Sequence, residues 1–355
     1  MSAFDMGGSE ERPSAAAPYR RIAVLGAGSW GTALAVIAAK AGRGVTLWAR
    51  REDHARALKE DGRNARYLPE VTIPDSIRVT SDMAAAIEDA DAVLMVVPSS
   101  AVRETSKALA AILDPKIPVI LAAKGIEPVS GLLMSDVAAE ELKGNPMGAL
   151  SGPNFANEAA LGDPTACTIA SNDDFEVAPE TTVAARMAVA MGTESFRPYI
   201  SDDLVGVEVG GALKNVIAIA CGIATGAGFG ANTRAALITR GISELARLGV
   251  AKGAKPETLM GLSGMGDLTL TCNSMQSRNF SLGVALGQGE ALEDILRVRK
   301  AVTEGVYTAR SVCKLADSLS VDMPICAAVD EILNKGADIN QVVDSLLARP
   351  FKEEM

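Results

Sequence analysis

The spacing of apolar and polar positions changes character once along this chain, near residue 201. Before that point short apolar runs alternate with helical periods. RIAVL (21–25), GVTLWAR (44–50), IRVTS (77–81), AVLMVVPS (92–99), PVILAAKG (118–125), GALSG (148–152) and TACTIA (165–170) have the brevity and β-branched content of strands. Between them WGTALAVIAAKA, EDHARALKE, MAAAIEDA, SAVRETSKALAAIL and LLMSDVAAEEL carry helical spacing. Such alternation predicts right-handed crossovers and a parallel sheet covered on both faces, and near-continuous apolar runs such as AVLMVV suit strands buried on both sides.

Beyond FRPYIS (196–201), where the last strand-like run ends, helical patterns follow one another. They include DLVGVEVGGALKNVIAIACGIATG, RAALITRGISELARLG, QSRNFSLGVALGQG, ALEDILRVRK, TARSVCKLADSLS and CAAVDEILNK. The expected organisation is a tail over 1–20, an α/β dinucleotide-binding domain over 21–200, an all-helical domain over 201–348 and a short tail over 349–355. No repeat of fixed period interrupts it.

Composition narrows the chemistry. The chain has 355 residues, enough for two cores, and a formal net charge of −10, which argues against nucleic acid or an anionic membrane as partner. Five scattered cysteines form no Cys-x-x-Cys or His/Cys cluster, so neither zinc nor a disulfide framework is expected, and a reducing cytoplasm fits. The opening segment has acids where a signal peptide needs cations, lacks an apolar core and reads as a disordered tail. The apolar stretch after Asn215 falls short of the roughly 20 residues of a membrane span.

The pattern Gly26-x-Gly28-x-x-Gly31 lies between the first strand and the first helix. In a dinucleotide site Gly26 allows the tight turn, Gly28 lets the backbone approach a pyrophosphate, and Gly31 allows helix to pack closely on strand. At the end of the second strand, where an acid would hold the ribose of NAD, stand Arg50 and Arg51. Two guanidiniums suit the 2′-phosphate of NADP, so NADP is expected ahead of NAD. The single histidine, His54, sits at this adenosine end and reads as a surface residue. A ketone-reducing enzyme built on this chain must therefore take its proton from a lysine, a tyrosine or an acid.

The second half offers a lysine in an unusual setting. Lys214 and Asn215 interrupt an apolar helical segment, and Gly210 and Gly211 share the face of Lys214, where they would open an approach for a ligand. Burial would lower the lysine's pKa towards neutrality. Gly264, Gly266 and Asp267 suggest a glycine-rich turn leading into a helix, with Asp267 orienting Lys214 or a substrate hydroxyl. Ser277-Arg278-Asn279 reads as a phosphate clamp, while Lys124 and SGPNFA (151–156) follow strand ends, where open α/β sheets bind ligands. Read on residues alone, another two-domain hydroxyacid or sugar-acid dehydrogenase stays open, as does a nucleotide sensor without chemistry.

With GAGSWGTALA, LWAR, AAKGIE, SGPNFA, GGALKNVIAIACGIATGAGFGANTRAALITRG, GLSGMGDLTLTC, QSRNF and VTEG in this order, the chain from Arg21 to Ala348 resembles the bacterial NAD(P)-dependent glycerol-3-phosphate dehydrogenases. The resemblance implies a Rossmann-like domain joined to a helical domain of the 6-phosphogluconate-dehydrogenase type, with the site between them; because helical second domains often pair, a homodimer is the expected assembly. It implies interconversion of dihydroxyacetone phosphate and sn-glycerol 3-phosphate for phospholipid synthesis, without a metal. It makes Lys214 the proton acceptor for alcohol oxidation and gives Lys124 contacts to both cofactor and substrate. Gly152, Asn154, Asp267, Ser277, Arg278 and Asn279 match substrate positions. Ser29, Trp30, Arg50, Arg51, Ala156, Arg278, Val302 and Glu304 match cofactor positions. Two departures stand out: Asn154 replaces the Ser or Thr of many relatives, and QSRNF continues as SLG rather than with further cations.

Overall fold

The structure is a computed structural model that describes residues 16–298 and 304–350. The first half runs β1 (Arg21–Leu25), α1 (Ser29–Lys40), β2 (Gly44–Trp48), α2 (Glu52–Asp61), a small hairpin of β3 (Arg63–Asn64) and β4 (Leu68–Thr72), then β5 (Ile77–Thr80) and α3 (Met83–Ile87). It continues through β6 (Ala92–Met95), α4 (Val102–Ala110), β7 (Val119–Leu121), α5 (Met134–Glu141), β8 (Met147–Ser151), α6 (Ala156–Leu161), β9 (Thr165–Ser171), α7 (Val183–Met191) and β10 (Phe196–Ser201). Eight of these strands form one sheet in the order β10-β9-β8-β7-β6-β1-β2-β5.

The sheet follows from the apolar runs. Every residue of β6 and β7 is buried, as parallel strands sandwiched between helices must be, whereas the edge strand β5 alternates buried and exposed positions. From β1 the chain moves outward to β2 and β5, then returns to lay β6 on the other side of β1. This reversal opens a crevice at the carboxyl ends of β1 and β6, the place where such sheets take ligands. One feature lies beyond the reach of the apolar pattern: β8 and β9 pair antiparallel, so β9 and its parallel neighbour β10 run against the other six strands. The short α6 leads the chain back into the sheet from the end it has just left, and α6 thereby stays beside the crevice.

The second half is helical: α8 (Leu204–Gly226), α9 (Ala231–Ala251), α10 (Pro256–Met260), α11 (Asp267–Cys272), α12 (Arg278–Gly287), α13 (Leu292–Val298), α14 (Glu304–Ser318), α15 (Pro324–Lys335) and α16 (Ile339–Leu347). Helix α8 is its axis. By length and composition α8 could cross a membrane, but 89% of its apolar window is buried inside the fold, and it is a core helix. Its glycines explain how closely its neighbour packs. A Cβ on Gly222 or Gly226 would lie 2.1 Å from the carbonyl of Phe280 or Val284, and one on Gly283 or Gly287 would lie 2.2 Å from that of Ile219 or Ile223. The two glycine pairs, each four residues apart, let the backbones of α8 and α12 touch.

Two carboxylates fix α8 against the rest. Asp203 caps its N-terminus, accepting from Gly206 N at 2.8 Å and also from Lys255 N at 2.8 Å. Glu208 accepts from Ser135 N at 2.8 Å and from the Ser135 hydroxyl, tying α8 to the start of α5 in the sheet-bearing half. The axis of the helical half is thus docked on the sheet by a buried hydrogen-bonded pair.

Candidate active site

The glycine-rich turn has the geometry expected of it. Gly26 sits at φ +119°, and a Cβ there would lie 2.5 Å from Val96 O; a Cβ on Gly31 would lie 1.8 Å from Gly26 O. Around Gly28, by contrast, a Cβ would meet nothing within 4 Å. The first and third glycines are therefore demanded by the fold itself, and the second faces open space. Helix α1 begins here with Gly28 as its N-cap and no side chain capping it, so its first amides are presented to that space. This arrangement fits a dinucleotide pyrophosphate.

Arg50 and Arg51 are exposed at the end of β2, and Arg51 Nε lies 3.2 Å from Asp53 Oδ1. Trp30 is half-buried in the first turn of α1, and Ser29 Oγ donates to Tyr67 O at 2.7 Å. His54 departs from the surface role expected of it. It is half-buried, and its Nε2 lies 3.1 Å from Ala27 O inside the glycine-rich turn, with the ring edge-on to Tyr67. The turn needs a donor for that carbonyl, and α2 brings His54 within reach.

Across the crevice lies a buried charge cluster. Asp267, the first residue of α11, has no exposed surface, and its carboxylate receives Lys124 Nζ at 2.6 Å on one oxygen and Lys214 Nζ on the other. Thr271, one helical turn on, donates to Asp267 Oδ1 at 3.3 Å. A π-turn over Leu262–Gly266 aims Asp267, and it is tight because a Cβ on Gly264 would lie 1.9 Å from Leu259 O. Lys214 is 8% exposed. Burial is the main force that pushes its ammonium down to about 8; nearby Lys124 adds to the fall, and Asp267 opposes both.

Gly210 and Gly211 serve a different end from the one their spacing suggests. A Cβ on Gly210 would lie 2.5 Å from Ser263 O, and one on Gly211 would lie 2.9 Å from Ser151 Oγ and 3.2 Å from Lys124 Cγ. They open no path for a ligand. They let α8 approach the π-turn and the sheet closely enough for the two lysines to share one aspartate.

The remaining candidates sit on several elements, and some of them touch this cluster. Gly152, at φ +155° and packed against Cys167, offers its carbonyl 3.5 Å from Lys124 Nζ. Asn154 donates through Nδ2 to Ala166 O at 2.8 Å, which leaves its buried Oδ1 without a partner among the described residues, an acceptor available to a ligand. Ala156 opens α6. Ser277 Oγ caps α12 by accepting from Phe280 N at 3.2 Å, and Asn279 spans from Asn215 Oδ1 (2.8 Å) to Gly305 N (3.1 Å). In the Ser-Arg-Asn triplet these two side chains thus build the helix end, and exposed Arg278 projects from its first turn. Glu304 starts α14 and accepts from Ser99 N at 3.2 Å; burial raises its pKa, and that hydrogen bond and the positive charges of Arg278, Lys124 and Lys214 oppose the rise. Val302 lies outside the described residues.

Three participants are not evident from the residues alone. Thr271 has a usable signal, its spacing of four from Asp267 on one helix face. Asn64 and Tyr67 have none, because they reach the glycine-rich turn only through the β3–β4 hairpin. Among the described residues no group of His, Cys, Asp or Glu could hold a metal ion.

The family described as NAD-dependent glycerol-3-phosphate dehydrogenase matches this chain twice, its N-terminal part over residues 21–177 and its C-terminal part over 203–344. A glycerol-3-phosphate dehydrogenase (NAD(P)+) of Rhodospirillum rubrum is 49% identical over 333 residues, covering 94% of this chain and 93% of its own length. One of Parvibaculum lavamentivorans is 50% identical over 336 residues, covering 95% and 98%. The crystal structure of the glycerol-3-phosphate dehydrogenase from Coxiella burnetii superposes with a TM-score of 0.87 at 39% identity, covering 93% of this chain and 99% of that one. Two matched halves, near-complete relatives and a shared architecture agree, and the chain belongs to the NAD-dependent glycerol-3-phosphate dehydrogenase family.

Proposed function

We propose that this NAD(P)-dependent oxidoreductase reduces dihydroxyacetone phosphate to sn-glycerol 3-phosphate, providing a backbone for glycerophospholipids. The observation that carries the reading is the Asp267 carboxylate held between Lys124 and Lys214 beside the crevice. When bound, a reduced nicotinamide supplies the hydride. The chain's own residues must then supply a proton and stabilise negative charge. Lys214, protonated, donates its proton to the oxygen that develops charge at C2, and Lys124 helps neutralise that charge. Asp267 keeps both ammoniums in place, since two buried cations at this distance would otherwise separate or deprotonate. Arg278 and the amides at the start of α12 are suited to the substrate's phosphate, whose binding fixes the carbonyl in register. Gly152, Asn154, Ser277 and Asn279 line or brace that part of the site.

Gly26, Gly28, Ser29, Trp30 and Gly31 would hold the pyrophosphate, with Ala156 and Glu304 as further cofactor contacts. Arg50 and Arg51 favour NADP(H) over NAD(H) through the 2′-phosphate. We further infer a cytoplasmic homodimer. Steady-state rates with dihydroxyacetone phosphate and each reduced cofactor test the whole reading: loss of the reduced-nicotinamide absorbance should be faster with NADPH. Equal or greater turnover with the keto forms of 3-hydroxyacids would overturn the substrate assignment.

The low pKa of Lys214 sets the pH dependence. Reduction needs the ammonium, so its rate should be highest below pH 8 and fall as pH rises through about 8; oxidation needs the free amine, so its rate should fall as pH drops through about 8. Opposite limbs crossing near one pKa in kcat/KM profiles of the two directions are the expected result. Parallel profiles would remove Lys214 from proton transfer.

A further inference from the structure

We propose that Asn64 is a positioning residue for the pyrophosphate loop: its carboxamide holds the Ala27 carbonyl so that the Gly28 amide faces the dinucleotide's phosphates. Asn64 is fully buried although it lies in a two-residue strand of a surface hairpin. Its Nδ2 donates to Ala27 O at 3.0 Å and to Thr32 Oγ1 at 2.8 Å, and its Oδ1 accepts from Tyr67 N at 3.2 Å. One side chain thereby uses both its donor group and its acceptor, joining the glycine-rich turn, the first turns of α1 and the hairpin tip.

The consequence for the ligand follows from peptide geometry. No peptide bond among the described residues is cis, and in a trans peptide the C=O and the following N–H point in opposite directions. With Ala27 O drawn towards Asn64 and His54, the Gly28 N–H must point away from the hairpin. Ser29 Oγ donating to Tyr67 O at 2.7 Å ties the same two segments together once more, one residue further along the turn. A glycine at position 28 leaves its peptide rotationally soft, and the fold itself does not crowd it, since a Cβ there would meet nothing within 4 Å. Orientation of this amide therefore depends on what grips the carbonyl. Asn64 makes the shorter of the two gripping contacts.

The inference rests on the turn being the dinucleotide site, so the unmodified chain is measured first. Binding of NADPH is followed by the change in its fluorescence, without turnover. No binding by the unmodified chain would overturn the dinucleotide reading itself. Given binding, Asn64→Leu keeps the branching and heavy-atom count of the side chain, with bulkier methyl ends, and removes both donated bonds and the accepted one; it is expected to raise the Kd for NADPH about tenfold. At saturating NADPH, kcat and the KM for dihydroxyacetone phosphate should stay within about twofold, since the lysine cluster is untouched. Unchanged NADPH affinity, or a fall in kcat that matches the rise in Kd, would overturn the positioning role. Should the leucine variant lose its cooperative melting transition, Asn64→Ser keeps a hydroxyl in the hairpin but falls short of Ala27. The same titration and kinetics then apply to the serine variant, with the same rise in Kd expected and an unchanged Kd again overturning the role.

Discussion

Lys214→Met is expected to reduce kcat for dihydroxyacetone phosphate by about 10²–10⁴-fold while leaving NADPH affinity nearly intact. The substitution suits the site because the lysine stem is buried and methionine replaces it with an unbranched apolar chain of similar length. Asp267 does not become an unpaired buried anion, since Lys124 still donates to its other oxygen at 2.6 Å. Folding should therefore survive, and the loss should fall on turnover. The one histidine offers no substitute, since it is committed to Ala27 O at 3.1 Å in the adenosine half, and Lys124, the other ammonium of the cluster, stays paired with Asp267. Steady-state kinetics beside a fluorescence titration of NADPH separate the two effects. Near-normal kcat would eliminate Lys214 as proton donor.

Asp267→Asn is expected to act differently, on charge rather than on the proton donor itself. The amide keeps the shape but removes the anion that sits between two ammoniums, and truncating a buried ion pair in this way costs about 3–5 kcal/mol. The least costly relief is loss of a proton from Lys214, whose pKa is held down to about 8 by burial and by Lys124 even with Asp267 present. In the variant it should fall further. At neutral pH ketone reduction should drop by about 10²-fold, because the donor is already deprotonated, and the falling limb of its pH profile should move to lower pH. Alcohol oxidation, which needs the free amine, should suffer less. Thermal unfolding and paired pH profiles check both statements. A reduction profile that keeps its midpoint would mean Asp267 serves packing alone.

The residues behind these expectations are legible in the sequence to an unequal degree. The apolar runs and glycine spacing locate the sheet, the first crossover and the buried α8, because each depends on neighbours within a few residues. Lys214 stands out for a similar reason, as a charge inside an apolar helical stretch. Lys124 and Asp267 are legible only as residues at a strand end and a turn. Their meeting across 143 positions is invisible to any local pattern. The spacing of Gly210 and Gly211 misleads on the same ground, since an empty helix face can admit a ligand or another part of the chain, and spacing does not distinguish them. The surface position expected of His54 fails because its exposure depends on where α2 lands relative to the turn.

By itself the sequence determined the alternation of elements, the dinucleotide turn and the candidate proton donor, all of them consequences of periodicity, backbone freedom and desolvation acting over short stretches. The tertiary structure alone decided which charges share a carboxylate, which glycines admit backbone and which face open space, and what grips the peptide before Gly28. Those outcomes depend on distances between segments far apart in the chain. They are set when α8 docks on the sheet and the β3–β4 hairpin closes over the first turn of α1.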